Sequence, residues 1–248
     1  MRCVRSVSPS RARTARADCR EARAHSAIVA RMGTVVGCAG FSIPASRYFK
    51  EFPYVEITET LISVPGTGTV KRWKREAPST FSFALLAPRE IAQEGFKDSK
   101  ITDAALATLL AVQKELNAET AIFIVPPEMA SQKTLRASAS AFLTKVKKKF
   151  ARVVFDAAHW DPKEVDDIAA AAKALPARDP LAHGLSKEKT AYYRLPGPAG
   201  HKSRYEDHSM EKLGELAASA THHTEATYVF TNVDMTQDAK RLIRALGM

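Results

Sequence analysis

Eight short apolar runs rich in β-branched residues recur from Gly33 onward, and helix-patterned or turn-rich stretches separate nearly all of them. Strands that alternate with helical segments run parallel, because each crossover carries the chain back to the end where the previous strand began. Eight such units can close into a (β/α)8 TIM-like barrel, a single α/β domain with parallel strands inside and helices outside. A barrel of this kind takes about 250 residues, and the chain has 248. The architecture also says where any chemistry belongs: at the C-terminal ends of the strands.

The pattern predicts strands over Thr34–Gly37, Tyr54–Thr58, Phe81–Leu86, Ala121–Val125, Arg152–Phe155, Arg178–Leu181, Ala191–Leu195 and Thr227–Thr231. The sixth is the weakest, since Pro180 removes a ladder donor and only a single helical turn near Ser186–Lys189 follows. Helices are expected over Thr69–Glu76, Thr102–Leu116 with Thr102 as N-cap, Gln132–Lys149, Pro162–Ala174, Ser209–Ala220 and Asp238–Leu246, with Gly247 as a stop.

The formal charge of +10 invites a nucleic-acid reading, but residues 1–31 hold eight of the 37 basic residues and two of the 27 acids. The excess therefore sits mainly in this Arg-rich stretch, which lacks the apolar core of a secretory signal. Residues 1–31 are expected to be either an over-extended start, with translation beginning at Met32, or a disordered basic arm; 32–248 form the barrel. Nucleic-acid binding would need residues 1–31 to be expressed. No apolar run approaches the roughly 20 residues that span a bilayer, so no membrane partner is expected. Three cysteines without regular spacing predict neither disulfides nor a zinc pattern and suit a reducing cytoplasm. Cys38, ending the first strand, reads as a small buried hydrophobe sooner than a nucleophile, for want of a neighbouring His.

Period-two alternation puts Tyr54, Glu56 and Thr58 on one face of the second strand, Tyr192 and Arg194 on one face of the seventh, and Tyr228, Phe230 and Asn232 on one face of the eighth. A carboxylate and a guanidinium inside one barrel need each other, because an unpaired buried charge is very costly. Two readings stand for Glu56 and Arg194: a salt bridge that organises the barrel mouth, or a ligand contact with Glu56 as catalytic base. The loop after the seventh strand carries Gly197, Gly200, His201, Lys202, Ser203, Arg204 and Tyr205. Its glycines allow close approach and its donors suit phosphate or carboxylate; the competing reading is a solvated loop paired with Glu206 and Asp207. Asp156, His159, Asp179, His183, His201 and Asp234 share the rim without any metal-ligand spacing, so no metal site is assigned. His222 and His223 read as structural, their imidazoliums at the negative end of a helix. No phosphate loop, dinucleotide fingerprint or nucleophile elbow is present, and the sequence names no cofactor.

The motifs in order resemble the YecE-like family, domain of unknown function 72, over roughly Gly33 to Leu246. The resemblance rests on Val36-Gly37-Cys38-Ala39-Gly40-Phe41-Ser42, Tyr48-Phe49, Phe52-Pro53-Tyr54-Val55-Glu56-Ile57, Phe81–Pro88, Phe123–Pro127, Phe155–Trp160, Tyr193-Arg194-Leu195-Pro196-Gly197 with Tyr205, and Tyr228-Val229-Phe230-Thr231-Asn232. It implies a barrel-like fold and no settled activity. Against the family pattern, Thr58-Glu59-Thr60-Leu61-Ile62 replaces Asn-Ser-Thr-Phe-Tyr, Leu86 replaces a Lys, and Ala92-Gln93 replaces Thr-His. Ile124 stands for a Gln, Val154-Phe155-Asp156-Ala157 for Glu-Phe-Arg-His, and Pro196 for a His. Glu56, Arg194, Gly197, Tyr205 and Asn232 are retained. The expectation is a barrel that binds a small anionic or phosphorylated ligand through Arg194, Gly197, His201, Lys202, Ser203, Arg204, Tyr205 and Asn232, as a hydrolase or isomerase. The alternative is a barrel that has lost catalysis and serves as an interaction protein.

Overall fold

The computed structural model describes residues 33–248; the expectations about residues 1–31 lie outside them. Eight parallel strands close in sequence order, with β8 pairing β1: β1 Thr34–Ala39, β2 Tyr54–Ile57, β3 Ser82–Leu86, β4 Thr120–Ile124, β5 Arg152–Asp156, β6 Leu175–Arg178, β7 Thr190–Leu195 and β8 Glu225–Phe230. The outer layer is α1 Ala45–Glu51, α2 Thr67–Glu76, α3 Arg89–Gln93, α4 Lys100–Leu116, α5 Lys133–Val146, α6 Pro162–Ala172, α7 Pro180–His183, α8 Asp207–Ser219 and α9 Met235–Ala245.

Two apolar layers follow from the strand period. One face of each strand meets the helices, where Val55, Ile57, Leu85, Phe123, Phe155, Tyr193, Tyr228 and Phe230 pack. The other fills the barrel with Tyr54, Ala84, Leu86, Ile122, Val154, Tyr192 and Val229. Tyr228 and Phe230 therefore point outward and Thr227 and Val229 inward. That corrects the inward set on which the eighth strand's polar candidates were grouped. An aromatic pair needs the volume between sheet and helices, and stacking of Tyr193 on Tyr228 at 4.8 Å fills it.

Three local expectations need correction. β6 lies three residues earlier than the strand pattern predicts, and Asp179-Pro180 starts a helix instead. The Asp179 carboxylate accepts from the Leu181 N–H at 2.9 Å, with Pro180 in the first turn, where a missing N–H costs nothing. The single turn is thus Pro180–His183, and 186–189 is a bent connection. In α4 the cap is Ser99, whose hydroxyl accepts from the Thr102 N–H at 3.1 Å. The connection after β1 contains α1, opened after Pro44 and buried through Tyr48 and Phe49.

The 186–189 connection is tied down by the two histidines. They lie beyond the last turn of α8, where the sequence pattern places them. His222 Nε2 lies 2.7 Å from the Ser186 carbonyl, and His223 Nδ1 lies 2.6 Å from that of Glu188. Because a carbonyl only accepts, His223 carries its proton on Nδ1, and its Nε2 accepts from the Tyr193 hydroxyl at 2.8 Å. Burial holds the His223 pKa below its ordinary 6.5. A folded-state pKa below the unfolded one gives stability that is complete above pH 6.5 and lost as pH falls beneath it. Wild-type melting temperature should fall between about pH 7 and pH 5. His223→Gln should lower it at pH 7 and flatten that fall; an unchanged slope in the variant would assign the acid sensitivity elsewhere.

Candidate functional site

Inside the barrel, near the C-terminal ends of the strands, five side chains form one chain of contacts. Arg194 on β7 donates from Nε and Nη2 to Glu56 on β2 at 3.1 and 2.9 Å, and from Nη1 to Asp156 on β5 at 2.5 Å. The Tyr192 hydroxyl donates to Glu56 Oε1 at 2.8 Å, so the Tyr54 hydroxyl, 2.9 Å away, donates to Tyr192 in turn. Burial and then the Glu56 charge raise the pKa of both tyrosines, which remain protonated donors. For Arg194, burial acts against the charge, but Glu56 and Asp156 outweigh it and raise the pKa above the ordinary arginine value. The guanidinium is a fixed cation that can donate hydrogen bonds and cannot shuttle a proton.

Above this network opens a cavity of about 370 Å³, along the C-terminal ends of β4 to β7. Asp156 and Arg194 are on its floor, Arg178, Asp179 and His183 on one side, His159 and Trp160 on another. Ile124, Val125, Pro127, Ala157, Val165, Pro176, Ala177 and Pro196 make the rest of the wall mainly apolar. Asp156, Asp166 and Asp179 face two arginines, of which Arg178 is itself paired with Asp166. Burial raises the Asp179 pKa. The indole N–H of Trp160 and the Nε2 of His159 both donate to the Met129 carbonyl, at 2.8 and 2.9 Å.

Of the residues the sequence singled out, the structure brings Arg194 to the cavity and sets Glu56 behind it. Glu56 is 0% exposed and is not on the cavity wall. The geometry makes it the anchor of Arg194; a base must reach its proton. The loop after β7 is occupied with its own folding. The Gly197 N–H donates to the Tyr205 hydroxyl at 2.8 Å. Ser203 Oγ accepts from the Ala199 N–H at 2.9 Å and donates to the Gly200 carbonyl at 2.6 Å. Gly197 has φ +95°, and a Cβ there would lie 2.5 Å from Ser203 Oγ, so the loop's tight return needs glycine. Asn232 Nδ2 donates to Asp238 at 2.8 Å and to the Ser203 carbonyl at 3.3 Å. Arg204 pairs with Asp234 at 2.9 Å, while His201 and Lys202 are exposed and away from the cavity.

Among the described residues no group of three or more His, Cys, Asp or Glu is placed to hold a metal ion. The six rim candidates are dispersed: Asp156 on Arg194, His159 on Met129, Asp179 capping α7, His183 on the cavity side, His201 in solvent, Asp234 on Arg204. Cys38 is buried, with its thiol 3.4 Å from the Met235 carbonyl, and burial pushes its pKa up to about 12. It stays a neutral thiol without nucleophilic character. Asp156, in the sequence only one of the dispersed metal candidates, is the site residue that local pattern does not reveal. Its signal was the substitution itself: an acid stands where the family pattern has Arg, on the same β5 face as inward-facing Val154.

These features define a closed parallel eight-stranded α/β barrel with a mostly apolar cavity, floored by an ion-paired arginine at the strands' C-terminal ends. Within that class, the chain belongs to the family described as protein of unknown function DUF72, whose sequence profile matches residues 45–248. A DUF72 family protein from Enterococcus faecalis V583 superposes with a TM-score of 0.73 at 14% identity, over 87% of this chain and 96% of that one. One from Thermotoga maritima MSB8 gives 0.63 at 16%, over 87% and 98%. A xylose isomerase domain containing protein from Salmonella typhimurium LT2 gives 0.56 at 9%, over 86% and 96%. No curated protein matches the chain's sequence. No helix among the described residues is long and apolar enough to cross a membrane.

Proposed function

We propose that this barrel binds a small, neutral, hydroxyl-bearing molecule in the cavity at the ends of β4 to β7 and acts on it by proton transfer, in the cytoplasm. The observation that carries the reading is the pair on the floor, Arg194 and Asp156, 2.5 Å apart. A hydroxyl both donates and accepts, and this pair offers an acceptor and a donor side by side. The apolar wall takes the carbon skeleton, as ligand cavities usually arrange it. An anion fits less well, because Arg194 is already answered by two carboxylates and Asp156 and Asp179 face the same space. The anion-binding expectation thus loses its central cation. His159, His183 and Asp179 supply imidazole and carboxyl groups for proton transfer, and burial raises the Asp179 pKa above its ordinary value. Proton exchange beside a carbonyl or hydroxyl, as in isomerisation, suits that set. A relative of similar fold is named for an isomerase domain, but that likeness is one of fold, and the reading rests on the cavity's own groups.

The test is a thermal-shift and calorimetric titration of the full chain with aldoses, ketoses and polyols, beside their phosphorylated counterparts. A ligand at about 100 times its dissociation constant stabilises by about 2.7 kcal/mol. Neutral sugars or polyols should raise the melting temperature of the wild type. Ala158→Trp, at an exposed position on the cavity edge, should abolish that rise without lowering the melting temperature of the free protein. A response to phosphorylated compounds alone would restore the anionic reading. No response to any of them would favour the non-catalytic interaction protein.

A further inference from the structure

The outer layer is incomplete beside β6. Where a barrel helix would cover this strand, α7 supplies a single turn, and a groove of about 870 Å³ is left between the end of α6 and the connection 185–190. Its charge is opposite to that of the cavity. Lys173, Lys187 and Lys189 line it, with Arg178 at its inner wall, against Asp166 and Glu188. Asp166 is taken by Arg178. Among the described residues none of the three lysines has an ion-pair partner. Arg178 stands at the inner wall, paired with Asp166, and its Nε is buried without a hydrogen-bond partner.

Lys173, Lys187, Lys189 and Arg178 outnumber Asp166 and Glu188 along this concavity, and an anion held there would offset the excess positive charge. Lysine acts on phosphate as a flexible point charge, and an arginine beside it can add a directed N–H contact. We infer that the groove outside β6 is an anion-binding site, distinct from the cavity, for a phosphoryl group carried on a small organic molecule. The groove's size suits a ligand larger than the phosphate alone, and its lysines are spread along it. Arg178, Asp166, Pro176 and His183 line both spaces, so the wall between groove and cavity is a single layer of side chains.

The inference stands apart from the cavity reading, and its test uses inorganic phosphate, which the cavity's paired Arg194 gives no reason to hold. Backbone amide shifts of the full-length protein are followed during titration with phosphate at constant ionic strength. Saturable shifts are expected at residues 173 and 187–189. The triple variant Lys173→Ala, Lys187→Ala, Lys189→Ala changes only exposed side chains and should weaken phosphate binding at least tenfold. A control triple, Lys71→Ala, Arg72→Ala and Arg75→Ala on the exposed face of α2, should leave it unchanged. Unsaturable shifts, or equal losses in both triples, would reduce the groove to a solvated basic surface and overturn the site. Ala158→Trp should leave phosphate binding intact, which separates failure here from failure of the cavity reading.

Discussion

Arg194→Met is expected to lower the folding stability of this protein by about 3–5 kcal/mol, the range for removing one member of a buried ion pair. The reason is what it leaves behind. Glu56 is fully buried and Asp156 is 7% exposed, and both carboxylates now turn toward one guanidinium. Without it, Glu56 keeps the Tyr192 hydroxyl as a partner but faces a second negative charge across a gap filled only by methionine. Arg194→Lys should fall between wild type and the methionine variant, because one ammonium cannot reproduce the fork that reaches Glu56 through two nitrogens and Asp156 through a third. Adding Glu56→Gln and Asp156→Asn to Arg194→Met should recover most of the loss, since the cost lies in unpaired charge more than in missing attraction. Guanidinium denaturation midpoints at constant slope measure each step. A loss under about 1 kcal/mol for Arg194→Met would mean that the pair behaves as a solvated one.

The pairing of Glu56 with Arg194 was legible in the sequence, because period-two alternation puts both inside and burial of either charge alone is prohibitive. The third member was not. Whether Asp156 meets Arg194 depends on how eight strands close, and no local pattern carries that register. The same limit misled the eighth strand, where both faces are apolar enough to be the inner one and only the volume of Tyr228 and Phe230 decides. At β6 two local signals competed: Asp179-Pro180 fits the end of a poor strand, but an Asp side chain capping a turn opened by Pro satisfies more backbone donors. The loop 197–205 shows why composition alone cannot separate a ligand loop from one that folds on itself. The Gly197 N–H, the Ser203 hydroxyl and the Asn232 amide have the donors and space for an anion, and they go instead to Tyr205, to Gly200, and to Asp238 and the Ser203 carbonyl. No local pattern marks the lysines around the β6 groove, because 173 and 187–189 are separate in sequence and only the short α7 brings them to one concavity.

Gly37→Ala should be as damaging as loss of Arg194, although one methyl group is all that it adds. Gly37 lies on the inner face of β1, between Val35 and Ala39, which pack against the interior cluster around Tyr54. Its φ is not in the left-handed region, so conformational freedom is not what the position requires. It requires space. A Cβ would stand 2.3 Å from the Tyr54 carbonyl oxygen and 3.1 Å from the Tyr54 ring. That carbonyl already accepts from the Tyr48 hydroxyl at 2.8 Å, and the backbone around it is held on both sides by the ladders to β1 and β3. No side-chain rotation relieves a clash with a fixed carbonyl, so β1 and β2 must separate. Overpacking in a core commonly costs about 1–3 kcal/mol and sometimes more; here the upper end or beyond is expected. The displacement also has a functional consequence. Tyr54 reaches Glu56 through Tyr192, so moving its ring loosens the contacts that orient Arg194 beneath the cavity. The matched control is Gly68→Ala on exposed α2, where an added Cβ meets nothing within 4 Å. Helix propensity should make that variant more stable by about 0.5–1 kcal/mol. Equal melting temperatures for the two alanine variants would sink the packing argument, because only the neighbourhood of the new methyl distinguishes them.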